Sequence, residues 1–275
     1  MTLQQALTAA LAQGLARIDA QMLLLHTLGR ATSDRAWLIA HDTDVLPPST
    51  QARFEALCAR RRDGEPVAYL TGSKAFYGLE LRVDARVLDP RPDTETLVDW
   101  ALEVLLGHPA PRLLDLGTGS GAIALALQQQ RPDASVLAVD ASPEALAVAR
   151  ANAERLALPV QFRHGRWMEG LEDQFDAIVS NPPYIPAADP HLAALRHEPA
   201  QALASGADGL EDIRAIVAQA PQRLSPGGWL LLEHGWDQAD AVAVLLTGAG
   251  FTQVQGRKDL AGIVRCSGGR MPTVK

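Results

Sequence analysis

The sequence predicts an α/β protein: a Rossmann-like, doubly wound sheet preceded by a small N-terminal helical bundle and a linking β-hairpin. Three observations lead there. The glycine cluster Gly117-Thr118-Gly119-Ser120-Gly121 sits between an apolar run and a helical pattern. From residue 95 onward, short apolar runs alternate with helix-like stretches, the mark of a largely parallel sheet. Residues 1–64 show helical spacing throughout.

Taken in order, Leu3, Ala6, Leu7, Ala10 and Leu11 form one apolar stripe, and Ile18, Met22, Leu25 and Leu28 a second. A third short helix covers Asp34 to His41. The fourth follows Pro47-Pro48-Ser49-Thr50, where a hydroxyl N-cap is expected. It carries Phe54, Leu57 and Cys58 and ends at Gly64. His26 and His41 are isolated and read as core or surface histidines.

Phe76-Tyr77-Gly78-Leu79-Glu80-Leu81-Arg82-Val83 alternates around a glycine, as a hairpin does. Asp89-Pro90-Arg91-Pro92-Asp93-Thr94-Glu95 then leads into a helix carrying Leu97, Val98, Ala101, Val104 and Leu105. Asp93 or Thr94 is its expected N-cap. This segment is either a rigid, well-capped connection or one wall of a ligand cleft.

Strands are expected near 112–116, 135–139, 159–163, 175–179 and 229–233, mostly followed by helices. Ser142-Pro143-Glu144 starts one helix, with proline at its first position. Ser225-Pro226-Gly227-Gly228 reads as a turn into the fifth of these strands. Phe251–Gln255 and Gly262–Cys266 pair as an edge hairpin, and Ser267 to Lys275 are expected to be loose. The domains are therefore 1–64, a hairpin linker 65–90, and a ligand-binding domain 91–275.

Charge and composition narrow the function. The chain has 275 residues and net charge −7. That balance argues against a general nucleic-acid binder, which needs a positive footprint. Arg60, Arg61 and Arg62 are clustered but read as the solvated, dipole-favoured end of a helix. Cys58 and Cys266 are the two cysteines; they form no CxxC pair and read as buried apolar residues, with no zinc site. The N-terminus lacks a signal-peptide pattern. No stretch approaches the roughly 18 apolar residues of a membrane span. A soluble, cytoplasmic protein is expected.

Two motifs carry chemistry. In the first, glycines let the chain turn sharply against a ligand, and N–H groups at the following helix start are expected to face it. Asp140 ends the next strand, Ser135-Val136-Leu137-Ala138-Val139-Asp140, where an acid can hold a ribose diol. A nicotinamide dehydrogenase also fits these features. The second motif is Asn181-Pro182-Pro183-Tyr184. Proline restricts itself and the residue before it, so Asn181 is pre-set, and its oxygen can accept from an N–H₂ group. The Pro182 carbonyl offers a second acceptor, and Tyr184 a ring face for a flat substrate. A tight turn after a strand is the alternative.

Ligands on open α/β sheets bind beyond the carboxyl ends of the strands. The glycine loop, Asp140, Trp167 and the Asn-Pro-Pro-Tyr turn follow the first to fourth strands and so share one rim. A dehydrogenase has no use for an amide-gripping turn there; methyl transfer to nitrogen does.

Together with Pro66-Val67-Ala68-Tyr69-Leu70-Thr71-Gly72, Pro90-Arg91-Pro92-Asp93-Thr94-Glu95 and Leu232-Glu233-His234-Gly235, the chain resembles class I S-adenosylmethionine-dependent methyltransferases. More closely it is similar, over essentially its whole length, to the bacterial protein-(glutamine-N5) methyltransferases of peptide chain release factors. The resemblance implies S-adenosyl-L-methionine as cofactor. It implies methylation of the glutamine in the Gly-Gly-Gln loop of class 1 release factors, which tunes translation termination. It implies cofactor binding by Gly117, Thr118, Gly119, Ser120 and Gly121 around the methionine part, by Asp140 at the ribose, and by Trp167 near the adenine, with Asn181 beside them. Asn181 and Pro182 would hold the substrate carboxamide, flanked by Pro183 and Tyr184; Asn181, Pro182 and Tyr184 are the catalytic candidates. The helical domain would help dock the release factor. A monomer is expected, with no direct nucleic-acid or membrane partner and no metal.

Asp89 departs from the family pattern, where an apolar residue usually precedes Pro-Arg-Pro, and so does Arg166, where an acid is common. An arginine cannot accept from the adenine amino group. His234 is a tempting general base but reads better as the end of a central strand. Besides the dehydrogenase, the rivals are a nucleic-acid amino-methyltransferase, which would flip its base, and a non-catalytic cofactor-binding subunit.

Overall fold

The computed structural model describes residues 1–273. The chain divides into two compact units, the first Met1–Ser73 and the second beginning at Lys74.

The first unit is helical: α1 Leu3–Ala12, α2 Arg17–Thr27, α3 Arg35–Ala40, α4 Pro48–Arg62 and α5 Val67–Thr71. Leu3, Ala6 and Ala10 of the first expected stripe share one core with Phe54 and Cys58, but α2 turns Leu23, Leu24 and Leu25 inward while Ile18 of the second stripe, like Leu11 of the first, is exposed. Thr2 closes a capping box with Gln5 on α1. The hydroxyl cap expected for α4 is not used: Pro47 holds the cap position, Pro48 follows at the first helical position, and no side chain caps. Fixed proline φ starts this helix instead. The fifth helix was not expected; Pro66 starts it and Gly72, at φ 73°, ends it. Arg60 pairs with Glu65 and Arg61 with Asp19, so the basic run is a paired helix end.

At the start of the second unit, β1 Ser73–Phe76, whose first residue ends the first unit, and β2 Leu79–Arg82 form a two-stranded sheet. Its tip is Tyr77-Gly78, both at positive φ, as a two-residue hairpin turn requires. Beyond it lie α6 Glu95–Val104, β3 Arg112–Leu116, α7 Ala122–Gln130, β4 Ser135–Asp140, α8 Pro143–Leu156, β5 Gln161–His164, β6 Phe175–Ser180, α9 Glu211–Gln219, β7 Leu224–Glu233, α10 Ala239–Gly248, β8 Thr252–Lys258 and β9 Val264–Arg270.

The main sheet runs β5-β4-β3-β6-β7-β9-β8. Pairing is parallel from β5 to β7 and antiparallel on both sides of β9. A dinucleotide-binding sheet places its sixth strand directly beside its fifth; here β9 is wedged between them. Successive strands are added on one side of β3 as far as β5 and then on its other side from β6, so the carboxyl ends of β3 and β6 flank the switch point.

Two expectations at the C-terminal side fail. Ser225-Pro226-Gly227-Gly228 is not a separate turn but lies inside β7, at an irregular register against β6. A Cβ on Gly228 would meet three backbone oxygens at 3.0–3.1 Å, so glycine permits this approach. Ser267–Arg270, expected to be loose, belong to β9 and pair with both β7 and β8. On this side β8 is the edge strand and β9 lies inside the sheet. Val274 and Lys275, also in the expected loose tail, lie outside the described residues.

Candidate active site

The glycine loop is folded by the acids around it. Asp115, at the end of β3 and fully buried, accepts from the Thr118 hydroxyl at 2.6 Å and the Ala124 N–H at 3.2 Å. Burial pushes its carboxyl up to about 7, and the Asp140 charge adds to this. Asp140 accepts from Gly119 N–H through Oδ2 and from Ser142 N–H through Oδ1, both at 2.8 Å. Its carboxyl is raised by burial and lowered by these N–H groups.

This bears on the expected N–H groups. The loop N–H groups do not face a ligand as a set. Those of Gly117 and Thr118 donate to the Val139 carbonyl, that of Gly119 to Asp140, and that of Gly121 to the Thr118 carbonyl. The first turn of the loop therefore spends these N–H groups within the protein, and Asp140 itself lines the space beyond it.

A cavity of about 420 Å³ opens here, within the range of small-molecule sites. Its walls include Gly117, Gly119, Asp140, Trp167, Asn181 and Pro183. Five of the predicted cofactor residues are thus brought together. Thr118, Ser120 and Gly121 stand behind the wall. Thr118 and Ser120 are buried, and a Cβ on Gly121 would press Leu125 at 3.0 Å and Ala149 at 3.3 Å.

The residues fit the cofactor. Nothing lies within 4 Å of where a Gly119 Cβ would stand, whereas at Gly117 it would meet the Trp167 ring at 3.4 Å. The loop is thus open at Gly119 and covered by the indole at Gly117. The Trp167 ring nitrogen is buried without a partner. Each Asp140 oxygen keeps a lone pair beyond its backbone donor.

Asn181 closes the far end. Ser180 Oγ donates to the Leu116 carbonyl at 2.7 Å, fixing the end of β6 to β3. Nδ2 of Asn181 donates to Thr94 Oγ1 at 3.2 Å. Among the described residues nothing donates to Asn181 Oδ1 or to the Pro182 carbonyl. Two acceptors are left available on adjacent residues. A smaller hollow of about 90 Å³ shares Asn181 with the cavity and is lined also by Leu88, Arg91, Tyr184, Ile185 and Ala202. Gly209 lets the chain pass the turn: at φ 76°, a Cβ there would fall 2.2 Å from the Tyr184 carbonyl oxygen.

Several site residues escaped the sequence reading. Arg86, Val87 and Leu88 line the cavity, as do Pro199, Gln201, Ala202 and Ala204. Arg166 lines it too, and pairs at 3.3 Å with Asp212, so an acid faces the cavity from α9. Asp89, the other departure, is buried and pairs with Lys74 at 3.0 Å. His234 is fully buried, with Nδ1 on the Gly235 carbonyl and Nε2 on Ser267 Oγ, each at 2.8 Å. Burial lowers its pKa, and it does not line the cavity.

Comparison with known proteins agrees with this geometry. A family model described as "Methyltransferase small domain" matches residues 94–208, and one described as "PrmC N-terminal domain" matches residues 2–72. The release factor glutamine methyltransferase of Bordetella pertussis is 52% identical over 260 residues, covering 93% of this chain and 95% of that one. That of Xylella fastidiosa (strain Temecula1) is 49% identical over 271 residues, covering 97% and 98%. A solved 16S rRNA N2 G1207 methyltransferase from T. thermophilus shares the fold, with TM-score 0.55 and 24% identity over 72% of this chain and 49% of that one. With relatives this similar along almost its whole length, the chain belongs to the release factor glutamine methyltransferase family.

Proposed function

We propose that the protein transfers the methyl group of S-adenosyl-L-methionine to the side-chain amide nitrogen of the glutamine in the Gly-Gly-Gln loop of class 1 peptide chain release factors. The observation that carries this reading is Asn181 standing between the two hollows, with Oδ1 available and the Pro182 carbonyl beside it. Both relatives are named for this activity.

In this reading the cofactor supplies an electrophilic methyl group on a sulfonium. Asp140 holds the ribose hydroxyls, Gly117 and Gly119 allow the backbone to approach closely, and Trp167 covers the loop. A carboxamide nitrogen is a poor nucleophile because its lone pair is delocalised. Asn181 Oδ1 and the Pro182 carbonyl accept its two hydrogens and orient it for in-line displacement, which supplies several kcal/mol, roughly. The same acceptors stabilise positive charge growing on nitrogen. That cationic nitrogen is acidic and loses its proton to water afterward, so no buried base is required. His234, already engaged through both ring nitrogens, has no part in it.

The helical unit is the natural docking element for a protein substrate. The net charge of −7 favours a protein partner over nucleic acid, and among the described residues no helix is long and apolar enough to cross a membrane. We take a cytoplasmic monomer as the working form.

The test is transfer of radiolabelled methyl from S-adenosylmethionine to a purified release factor. A second sample has its Gly-Gly-Gln glutamine replaced by alanine, and bulk RNA and DNA run in parallel. Label on the intact factor alone is the expected result. Label on nucleic acid would overturn the substrate.

A further inference from the structure

The order of strands at the rim sets the order of groups along the cavity. The carboxyl ends of β6, β3, β4 and β5 stand side by side. They lead in turn to Asn181, the glycine loop, Asp140 and Gly165-Arg166-Trp167. The Gly165 N–H donates to the Asp140 carbonyl at 3.0 Å, which holds the last of these against β4. In the reading above the methyl group belongs at Asn181 and the ribose at Asp140. The adenine then belongs beyond Asp140, at the β5 end.

That end of the wall includes Ala141, Ala145, Gly165, Arg166 and Asp212. An adenine edge presents an exocyclic amino group, which donates, beside a ring nitrogen that accepts. Arg166 can meet the ring nitrogen but not the amino group, because a guanidinium only donates. Asp212 can accept from it. Besides Asp140 it is the one acid in the cavity wall among the described residues. Asp212 is only 9% exposed, and two contacts place it. Its own N–H donates to Ser205 Oγ at 2.9 Å, and its Oδ1 accepts from Arg166 at 3.3 Å. Among the described residues nothing donates to Oδ2. A carboxylate drawn this far out of water is costly unless its oxygens are paired, and a ligand amino group supplies the missing donor.

We propose that Asp212 reads the adenine amino group, with Arg166 positioning its carboxylate. The proposal rests on S-adenosylmethionine as cofactor and not on the release factor as substrate.

The test is calorimetric titration with S-adenosylhomocysteine and with its deamino analogue, which bears hydrogen in place of the amino group. The wild-type protein should bind the deamino analogue about 10- to 100-fold more weakly, the range of a hydrogen bond to a charged group. In Asp212→Ala, S-adenosylhomocysteine should weaken by a similar factor and the analogue by less than about threefold, so that the preference disappears. Equal binding of both ligands by the wild-type protein overturns the proposal. So does an equal loss of both in Asp212→Ala, which would make Asp212 a wall and nothing more. A preference that survives the substitution also overturns it and assigns the amino group to another acceptor. Should Asp212→Ala fail to fold, Asp212→Asn decides. Its preference should drop below about tenfold, the range of a neutral hydrogen bond, and an undiminished preference overturns the proposal. A wild-type protein that shows the preference yet methylates no release factor keeps this proposal and loses only the substrate.

Discussion

Arg91 and Glu198, 107 residues apart in the chain, meet at 2.5 Å. The Glu198 carboxylate is buried and also accepts the Asp89 N–H at 3.2 Å. It joins two segments that wall the cavity: the loop before α6, and the excursion that follows the Asn-Pro-Pro-Tyr turn. The base of that excursion is closed by Ile185 N–H on the Leu203 carbonyl and Ser205 N–H on the Ile185 carbonyl, each at 2.9 Å. Glu198 pins its far part, beside Pro199, Gln201 and Ala202 of the cavity wall.

The excursion should therefore loosen without Glu198. In Glu198→Ala, backbone amides from about residue 195 to 204 should exchange faster in deuterated water, and cofactor affinity should fall about tenfold, the loss of one charge-assisted hydrogen bond. Unchanged exchange would mean that the base hydrogen bonds hold the segment unaided.

Asp140 orders the glycine loop and presents its outer lone pairs to the cavity. Asp140→Ala should weaken S-adenosylmethionine binding by at least about a hundredfold, since two charge-assisted hydrogen bonds are lost. Calorimetry measures it directly. An unchanged dissociation constant would remove Asp140 from the ribose.

Asn181→Ala should separate binding from chemistry. Turnover should drop by about 10²–10³, the range seen when one preorganised electrostatic partner is deleted, while cofactor affinity stays within about threefold. Equal loss of both would make Asn181 a cavity wall and nothing more.

The parts of the site legible in the sequence are those that local chemistry dictates. Gly117, Gly119, Asp140 and Asn181 end or follow strands whose apolar runs are plain, Trp167 follows the polar edge strand β5, and sheet topology brings them together. What escaped depends on tertiary contact. β9 was missed beyond Cys266 because Ser267-Gly268-Gly269 has no strand pattern; the glycines are there because a Cβ on Gly268 would strike Leu231, the Leu230 carbonyl and Trp100 within 3 Å. Thr94 reads locally as a cap, and only the fold shows its hydroxyl turned to Asn181. The loop N–H groups look free in the sequence because their acceptors, Val139 and Asp140, come from the next strand.

Glu233 also makes a prediction about stability. Burial pushes its carboxyl up to about 7, against an ordinary 4.5, and the nearby Asp93 charge also raises it; Thr94, Arg265 and Tyr184 pull the other way. The folded state thus holds its proton more tightly than the unfolded chain does. Stability from this group is fully present below the unfolded pKa and is lost as pH rises through the folded one. Between pH 5 and pH 8 the loss is on the order of 3 kcal/mol at most. Asp115, similarly raised, adds a slope of the same sign. Glu233→Gln keeps an acceptor for Thr94 and removes the charge. Urea unfolding at pH 5 and pH 8 should show the wild-type protein losing more stability than Glu233→Gln over that interval. Equal losses would mean that Glu233 is already ionised at pH 5, its burial offset by Arg265 and the two hydroxyls.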